Sequence, residues 1–571
     1  MKNREPMAAQ SALLLIAAAA AAALAHALWV SQVTDDAGIS LAYARSLARG
    51  DGLRLTPLSP RVEAFSNPLW VMWLALGDWL RLDGPRFAQI SGALCAAAAV
   101  FLVGLLPSRL GRRMPRPIDA VAPWVLALDT TYAFWSGAGL ETGAFALALA
   151  AAMALLDRGW WSALPAGLLC LLRPEGPLYL LALAPLRSLG GPARRTSRPA
   201  GSIAWVALAA LPLALWVAFR RGYYGQWLPN AYYAKAHWDY GGWRYLARWF
   251  VEDPWHWALC AVPFVLLAAS TRRAGAMAVA VSAAGAAFIL WSRGDWMEEH
   301  RFVAHVLPAA ALAAGLVPAA FDALSSRWLG AGAAAALIGA GAWGARARSP
   351  IRRESPILPL SYVAEQGRWF RDRARKLGLT GYRLAHFDLG GSALESGAEV
   401  IDMAGLADLY IGRVGYQAQR QVRDYVLGEV RPEMINLHGP CEYLRQDPRF
   451  LRDYHLEARG LWGENFVRSS LLRGVDERCP PAGLPQDLGA ALRSASPARV
   501  RDLWLCARAH LPAGALPEVS ALAARLAAEG LRSGDRDSLD AAVTLDPLQT
   551  AAAQRLLRLR LSADPSPDAH R

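Results

Sequence analysis

A chain of 571 residues that is 54% hydrophobic and only 19% charged, with a mean hydropathy of +0.19, departs from soluble globular composition, in which about a quarter of residues are charged. Disorder, collagen and a small disulfide scaffold are excluded, and a soluble multi-domain enzyme is disfavoured. The formal charge of +13 raises nucleic acid as a partner, so the placement of the basic residues decides its meaning.

The apolar run 11–30 follows Lys2 and Arg4 and is long enough to cross a bilayer. More apolar segments follow at roughly 86–107, 118–136, 140–156, 162–173, 175–189, 201–219, 256–270, 275–291, 302–320 and 327–345. The expected fold is therefore mainly α: a polytopic helical membrane protein of about eleven transmembrane helices. The segment 162–173 is short and is expected to pair with its successor as a broken or re-entrant hairpin.

Only Lys2, Lys235 and Lys376 are lysines, so the basic excess is arginine. With the N-terminus in the cytoplasm, the inside connections carry Arg109, Arg112, Arg113 and Arg116, then Arg187, Arg194, Arg195 and Arg198, then Arg272 and Arg273. The opposite side receives 31–85, 220–255 and 292–301, where arginines mix with acids. This is the positive-inside pattern, and nucleic acid is no longer needed to explain the charge. The expected location is the bacterial inner membrane, with bilayer lipid as a partner.

Residues 1–345 thus form a membrane domain whose first outer loop, 31–85, holds two interfacial helices. Residues 346–480 are expected to be a small periplasmic α/β domain, with a helix at 362–376 and strands near 383–388 and 400–401. Pro480 and Pro481 mark a linker, and 481–571 reads as a helical tail with leucine and alanine at helical spacing. Cys95, Cys170 and Cys260 sit in apolar runs; Cys441 and Cys479 can pair in an oxidising compartment, leaving Cys506 unmatched.

The first loop opens with Thr34-Asp35-Asp36 and an amphipathic helix in which Asp36, Ser40 and Tyr43 share a stripe and Arg45 lies on another face. The acids either cap this helix or do chemistry, because adjacent carboxylates are costly at a bilayer surface. Asn67 then precedes a tryptophan-rich stretch, Trp70, Trp73 and Trp79, suited to the headgroup level. Glu141 opens a span and is either a first-turn acid or the partner of an arginine or acceptor. Arg173 and Glu175 flank a turn and either bridge it or serve the site.

The strings DDAGISLAYARSLARGDGL (35–53), RVEAFSNPLW (61–70), GLETGAFALAL (139–149), LLRPEGPL (171–178), YYGQWLPNAYYAKAH (223–237), RGDWMEEHRFVAHVLP (293–308) and VIDMAGLADLYIGR (400–413) resemble, in order and spacing, the GT-C superfamily of membrane glycosyltransferases. Within it they are most similar to the mycobacterial terminal β-(1→2)-arabinofuranosyltransferase family. The tail beyond about 480 departs from that pattern.

This resemblance implies an inverting transfer from a polyprenyl-phosphate sugar to a cell-envelope glycan, lipid or protein, with Asp35 or Asp36 as general base and Asp36 preferred for its stripe. For the leaving phosphate, Tyr224, Asn230, Tyr232 and Lys235 form an aromatic and polar outer loop suited to a sugar-phosphate, with Lys235 either an ammonium at the phosphate or an interfacial lysine snorkelling to the headgroups. Arg293, His300 and Arg301, one of them oriented by Asp295, either stabilise the phosphate or belong to the interfacial belt and its ion pairs. Ser40, Tyr43, Arg45, Asn67, Glu141, Arg173 and Glu175 would support the substrates. Asp35 and Asp36 leave room for a divalent cation, but no spaced ligand set points to a metal or other cofactor. His386, Asp388, Asp402 and Asp408 read as strand ends and turns. The competing functions are a transporter or flippase of a lipid-linked saccharide, which would place charged residues near the midplane, and a noncatalytic scaffold using the tail.

Overall fold

The computed structural model describes residues 4–188, 199–324, 326–460, 463–474, 488–507, 516–546 and 549–562. Arg194, Arg195, Arg198, Cys479, Pro480, Pro481 and the last nine residues lie outside this set, as does the side chain of Cys506.

Helix α1 (Arg4–Val30) leads into α2 (Asp35–Ala48), α3 (Pro68–Trp79) and α4 (Gly84–Leu110). Among the described residues six helices are long and apolar enough to cross a bilayer: Pro6–Val30, Gly84–Leu110, Gly201–Tyr224, Arg272–Trp291, Leu307–Leu324 and Arg327–Glu354. A seventh span arises if Thr130–Gly137 and Thr142–Leu155, bent by 114°, count as one. The difference from eleven lies in shorter pieces. The segment expected at 118–136 is divided at Asp129, which caps the next helix through the Tyr132 N–H (2.7 Å) and so ends the previous one. Gly159–Leu172 and Pro254–Leu267 are apolar but shorter than a span.

The 114° bend rests on Gly139 at φ +84°, a conformation costly for other residues, where a Cβ would press on Val33 at 2.9 Å. It brings the start of the second helix, with Glu141, under α2. Helix α2 does not lie open at the interface: Ala37, Ile39, Leu41, Tyr43 and Ala44 are all buried. Helix α3 buries Trp70 and leaves Trp73 and Trp79 exposed.

The α/β domain holds one sheet of five strands: β1 (Arg383–His386), β2 (Glu399–Asp402), β3 (Met434–Leu437), β4 (Tyr454–Gly460) and β5 (Gly463–Arg468), in the order β2-β1-β3-β5-β4. β1 pairs in parallel with β2 and β3, while β5 runs antiparallel to both neighbours. The helix Leu360–Lys376 covers one face through Phe370, against Leu384, Met434 and Val467. Cys441 is a buried free thiol. The helical tail has its own core around Trp504, Leu526, Leu539 and Leu556, and Leu557 joins the apolar cluster of the α/β domain. Thr550 Oγ1 and Gln554 Nε2 donate to the last carbonyls of the span ending at Tyr224, groups a helix end leaves open.

His386 on β1 is fully buried, and burial pushes its ring down to about 3. Its Nδ1 accepts the Asp388 N–H at 3.0 Å, so the neutral ring is the form the fold needs. The unfolded chain binds a proton near pH 6.5 that the folded ring refuses, hence stability falls as pH drops from about 6.5 towards 3. At pH 5 this one group should cost about 2 kcal/mol. His386→Asn, which keeps the acceptor, is expected to flatten the pH dependence of the thermal midpoint measured between pH 5 and 8.

Candidate active site

The two acids at the head of α2 have different fates. Asp35 is 3% exposed, and its carboxylate accepts the N–H groups of Gly390 (2.9 Å) and Gly391 (2.6 Å) from the α/β domain. Its own N–H donates to Leu358 O (2.9 Å), and Leu360 N–H donates back to Val33 O (2.9 Å). A Cβ on Gly390 would lie 1.9 Å from Asp35 O, so glycine is what permits the approach. Burial, then the carboxylate of Asp388, hold the Asp35 carboxyl well above the usual range. Thr34 does not cap; its hydroxyl turns to Ala138 O at 3.4 Å. Arg45 joins the same junction, donating to Leu394 O at 2.8 Å.

Asp36 faces the other way. Its side chain is 26% exposed, and Oδ2 lies 2.5 Å from Arg301 Nη1. Asp295 takes Arg301 Nε at 2.7 Å, while Nη2 makes no hydrogen bond among the described residues. Burial works against the Arg301 charge, but Asp295 and Asp36 outweigh it and raise its affinity for the proton. The Arg301 and Arg173 guanidiniums lie 5.5 and 5.6 Å from the same Phe302 ring. Arg173 Nη1 bonds Glu141 at 2.6 Å and Nε bonds Glu175. Glu141 also accepts from Asn67 Nδ2 (2.6 Å), which reaches Ser40 Oγ at 3.1 Å. Ser40, Asn67, Glu141, Arg173 and Glu175 therefore form one polar chain beneath α2.

Lys235 completes the group. It is half-buried, with Nζ 5.8 Å from the Trp238 ring centre, and makes no hydrogen bond or ion pair among the described residues. Burial, and then the like charge of Arg301, lower its proton affinity, against the pull of Asp36 and Asp295.

The other expected donor ligands do not gather here. Asn230 commits Nδ2 to the carbonyls of Gly405, Leu406 and Asp408, and the Tyr224 hydroxyl donates to Leu53 O at 3.0 Å. Tyr43 donates to Val62 O and accepts from Ala64 N–H, holding the return loop. Tyr232 is 43% exposed beside Trp291. Arg293 is exposed, 3.9 Å from Asp239, and His300 Nδ1 lies 3.2 Å from Glu252.

Sequence reading gave no place in the site to Glu63, which pairs with Arg220 and accepts Trp216 Nε1 at 3.0 Å, and it took Asp388 as a strand end or turn without marking Gly390 and Gly391 behind it. The signal for the loop was present: two glycines straight after a strand, where backbone approaches a ligand or another chain closely. For a metal, Asp35 is taken by backbone amides and Asp36 by a guanidinium. The group Asp129, Asp253 and His256 has metal-like proximity, but Trp255 Nε1 bonds Asp129 at 3.1 Å and Arg348 pairs with Asp253.

A polytopic helical bundle carries the polar site at the ends of its spans, and a small α/β domain closes it. No protein-family model matches the sequence, and no curated protein matches it significantly. Among solved structures, ArnT from Cupriavidus metallidurans in the apo state is similar with a TM-score of 0.51 at 14% identity, over 80% of this chain and 98% of that one. The same protein bound to undecaprenyl phosphate gives 0.50 at 13% identity over the same shares. The apo oligosaccharyltransferase of Archaeoglobus fulgidus gives 0.51 at 12% identity, over 92% of this chain and 84% of that one. The likeness is one of fold.

Removing the Asp35 carboxylate strands two buried N–H groups, at about 1–3 kcal/mol each. Asp35→Ala should therefore speed amide hydrogen exchange at Gly390 and Gly391 by roughly 5- to 150-fold. Asp36→Asn should leave exchange there unchanged.

Proposed function

We propose that this protein is an inverting glycosyltransferase that moves a sugar from a polyprenyl-phosphate carrier to a cell-envelope acceptor at the outer face of a bacterial cytoplasmic membrane. One observation carries the reading: of the two adjacent acids, only Asp36 presents a partly exposed carboxylate, and it does so beside Arg301 and within the electrostatic reach of Lys235.

In this reaction the acceptor oxygen forms a bond to the anomeric carbon on the face opposite the phosphate. Its proton passes to the Asp36 carboxylate, and the electron pair of the breaking carbon–oxygen bond leaves on the polyprenyl phosphate. A positioned carboxylate at the attacking hydroxyl contributes about 10²–10⁴-fold. The departing phosphate gains negative charge, which calls for fixed cations at its oxygens. Lys235, without a carboxylate of its own, and the free Nη2 of Arg301 supply them. Asp295 and the Glu141–Arg173–Glu175 chain hold the two guanidiniums in place, so little reorganisation accompanies the charge transfer. No metal is required by this scheme. The outer-face placement follows the arginine bias of the connecting loops, and the arabinofuranosyl donor follows the resemblance of the strings.

The test is release of polyprenyl phosphate by purified protein in lipid nanodiscs, supplied in turn with polyprenyl-phosphate arabinofuranose, mannose, glucose and galactose. Asp36→Asn should lower turnover about 10²–10⁴-fold, and Lys235→Ala should raise the donor KM. Undiminished turnover in Asp36→Asn would overturn the assignment of the base.

A further inference from the structure

The α/β domain has a feature that the transfer chemistry just described does not use. Its parallel strands run β2-β1-β3, so the chain leaves β1 to one side and returns past it to reach β3. In open α/β sheets, ligands bind at such a switch point, outside the carboxyl ends of the strands. Asp388 follows β1 there and His438 follows β3, and His438 Nε2 lies 3.0 Å from Asp388 Oδ2. His438 is fixed from behind by Asn436 Oδ1 at 2.6 Å. Neither side chain is fully buried, at 17% and 12% exposure.

An aromatic arc starts at this pair. Phe387 lies 6.2 Å from the His438 ring, Tyr416 5.6 Å from Phe387, and Trp238 6.2 Å from Tyr416. Trp238 comes from the membrane domain, and its ring is the one beside Lys235. Its indole N–H is buried without a hydrogen-bond partner among the described residues. At its other end the arc meets the Asp35 junction, since Gly390 and Gly391 follow Asp388 by two and three residues. The arc therefore links the phosphate-side lysine to the base-side loop across the domain boundary.

Aromatic faces beside a few fixed polar groups are the chemistry of a site for a ring that is apolar on its faces and hydroxylated on its edge. We propose that this arc is a carbohydrate subsite that holds the acceptor: Phe387, Tyr416 and Trp238 pack against a sugar, and the Asp388–His438 pair hydrogen-bonds its hydroxyls. The proposal rests on the transferase reading and names its acceptor class as a glycan or glycolipid.

The experiment measures partition of the donor between water and acceptor, using full-length protein in nanodiscs, the polyprenyl-phosphate sugars above, and the octyl glycosides of glucose, mannose, galactose and arabinofuranose as acceptors. Each preparation yields free sugar and transfer product together. Phe387→Leu, which keeps apolar volume without the ring face, and His438→Ala should each lower the ratio of transfer to hydrolysis roughly tenfold, through the acceptor KM and not the donor KM. His438→Gln should recover part of that loss. An unchanged ratio in both variants, with transfer still lost in Asp36→Asn, would overturn the subsite and leave the transferase reading standing. Wild type that hydrolyses the donor but uses no octyl glycoside would overturn the carbohydrate assignment. Wild type that releases no polyprenyl phosphate from any donor would overturn the transferase reading, and the subsite with it.

Discussion

The arrangement of this molecule depends on one buried carboxylate. Asp35 sits where the chain has just left its first span, and it satisfies two backbone N–H groups of a loop 355 residues away. A carboxyl group removed from water needs such donors, and buried N–H groups need such an acceptor. Each side of the junction is therefore incomplete without the other. The hydrogen bonds from 33 and 35 to 358 and 360 and from Arg45 to Leu394 extend the contact, so α2 is packed between the bundle and the domain.

That constraint divides the labour of two neighbouring acids. Successive residues at a helix start point in directions about 100° apart, so when Asp35 is claimed by the domain, Asp36 is turned towards Arg301. The buried ion pairs around it are weak evidence for stability, because desolvation offsets much of their attraction. Their effect is positional. Arg301 is held on two sides and keeps one nitrogen open, and Arg173 is held on two sides by Glu141 and Glu175. Among the described residues Lys235 is the cation of the group that no carboxylate pairs with, and it is the one the proposed transfer assigns to the donor phosphate.

Much of this was legible in the sequence, and the parts that were not share a cause. The paired acids, Glu141, Arg173, Arg301 and Asp295 could be read as important because charged residues at the ends of apolar runs are expensive. Their pairing in space followed no sequence period. Asn230 and Tyr224 lie in the same string as Lys235, yet Asn230 turns to the α/β domain and Tyr224 to the first loop, because a residue's partner on a short loop is set by what packs over it. The span count was harder still. Asp129 interrupts an apolar run that hydropathy alone joins, which a window average does not register, whereas the turn of more than a right angle at Gly139 falls between two segments that the sequence already separates.

The glycines at 390 and 391 show most clearly why the domain and the membrane site are one unit. A Cβ at Gly391 would meet Ala364 N at 2.3 Å, and one at Gly390 would meet Asp35 O at 1.9 Å, so the loop is wedged between its own domain's first helix and α2. A domain seated through such contacts cannot swing away from the site without breaking several buried hydrogen bonds together. It therefore stands against the site as a wall. A base that works on a hydroxyl is equally able to work on water, so the transfer proposed above calls for a wall of this kind, which excludes water from the base. In the proposed transferase the carboxyl ends of the parallel strands form the side of the site that the helical bundle does not provide.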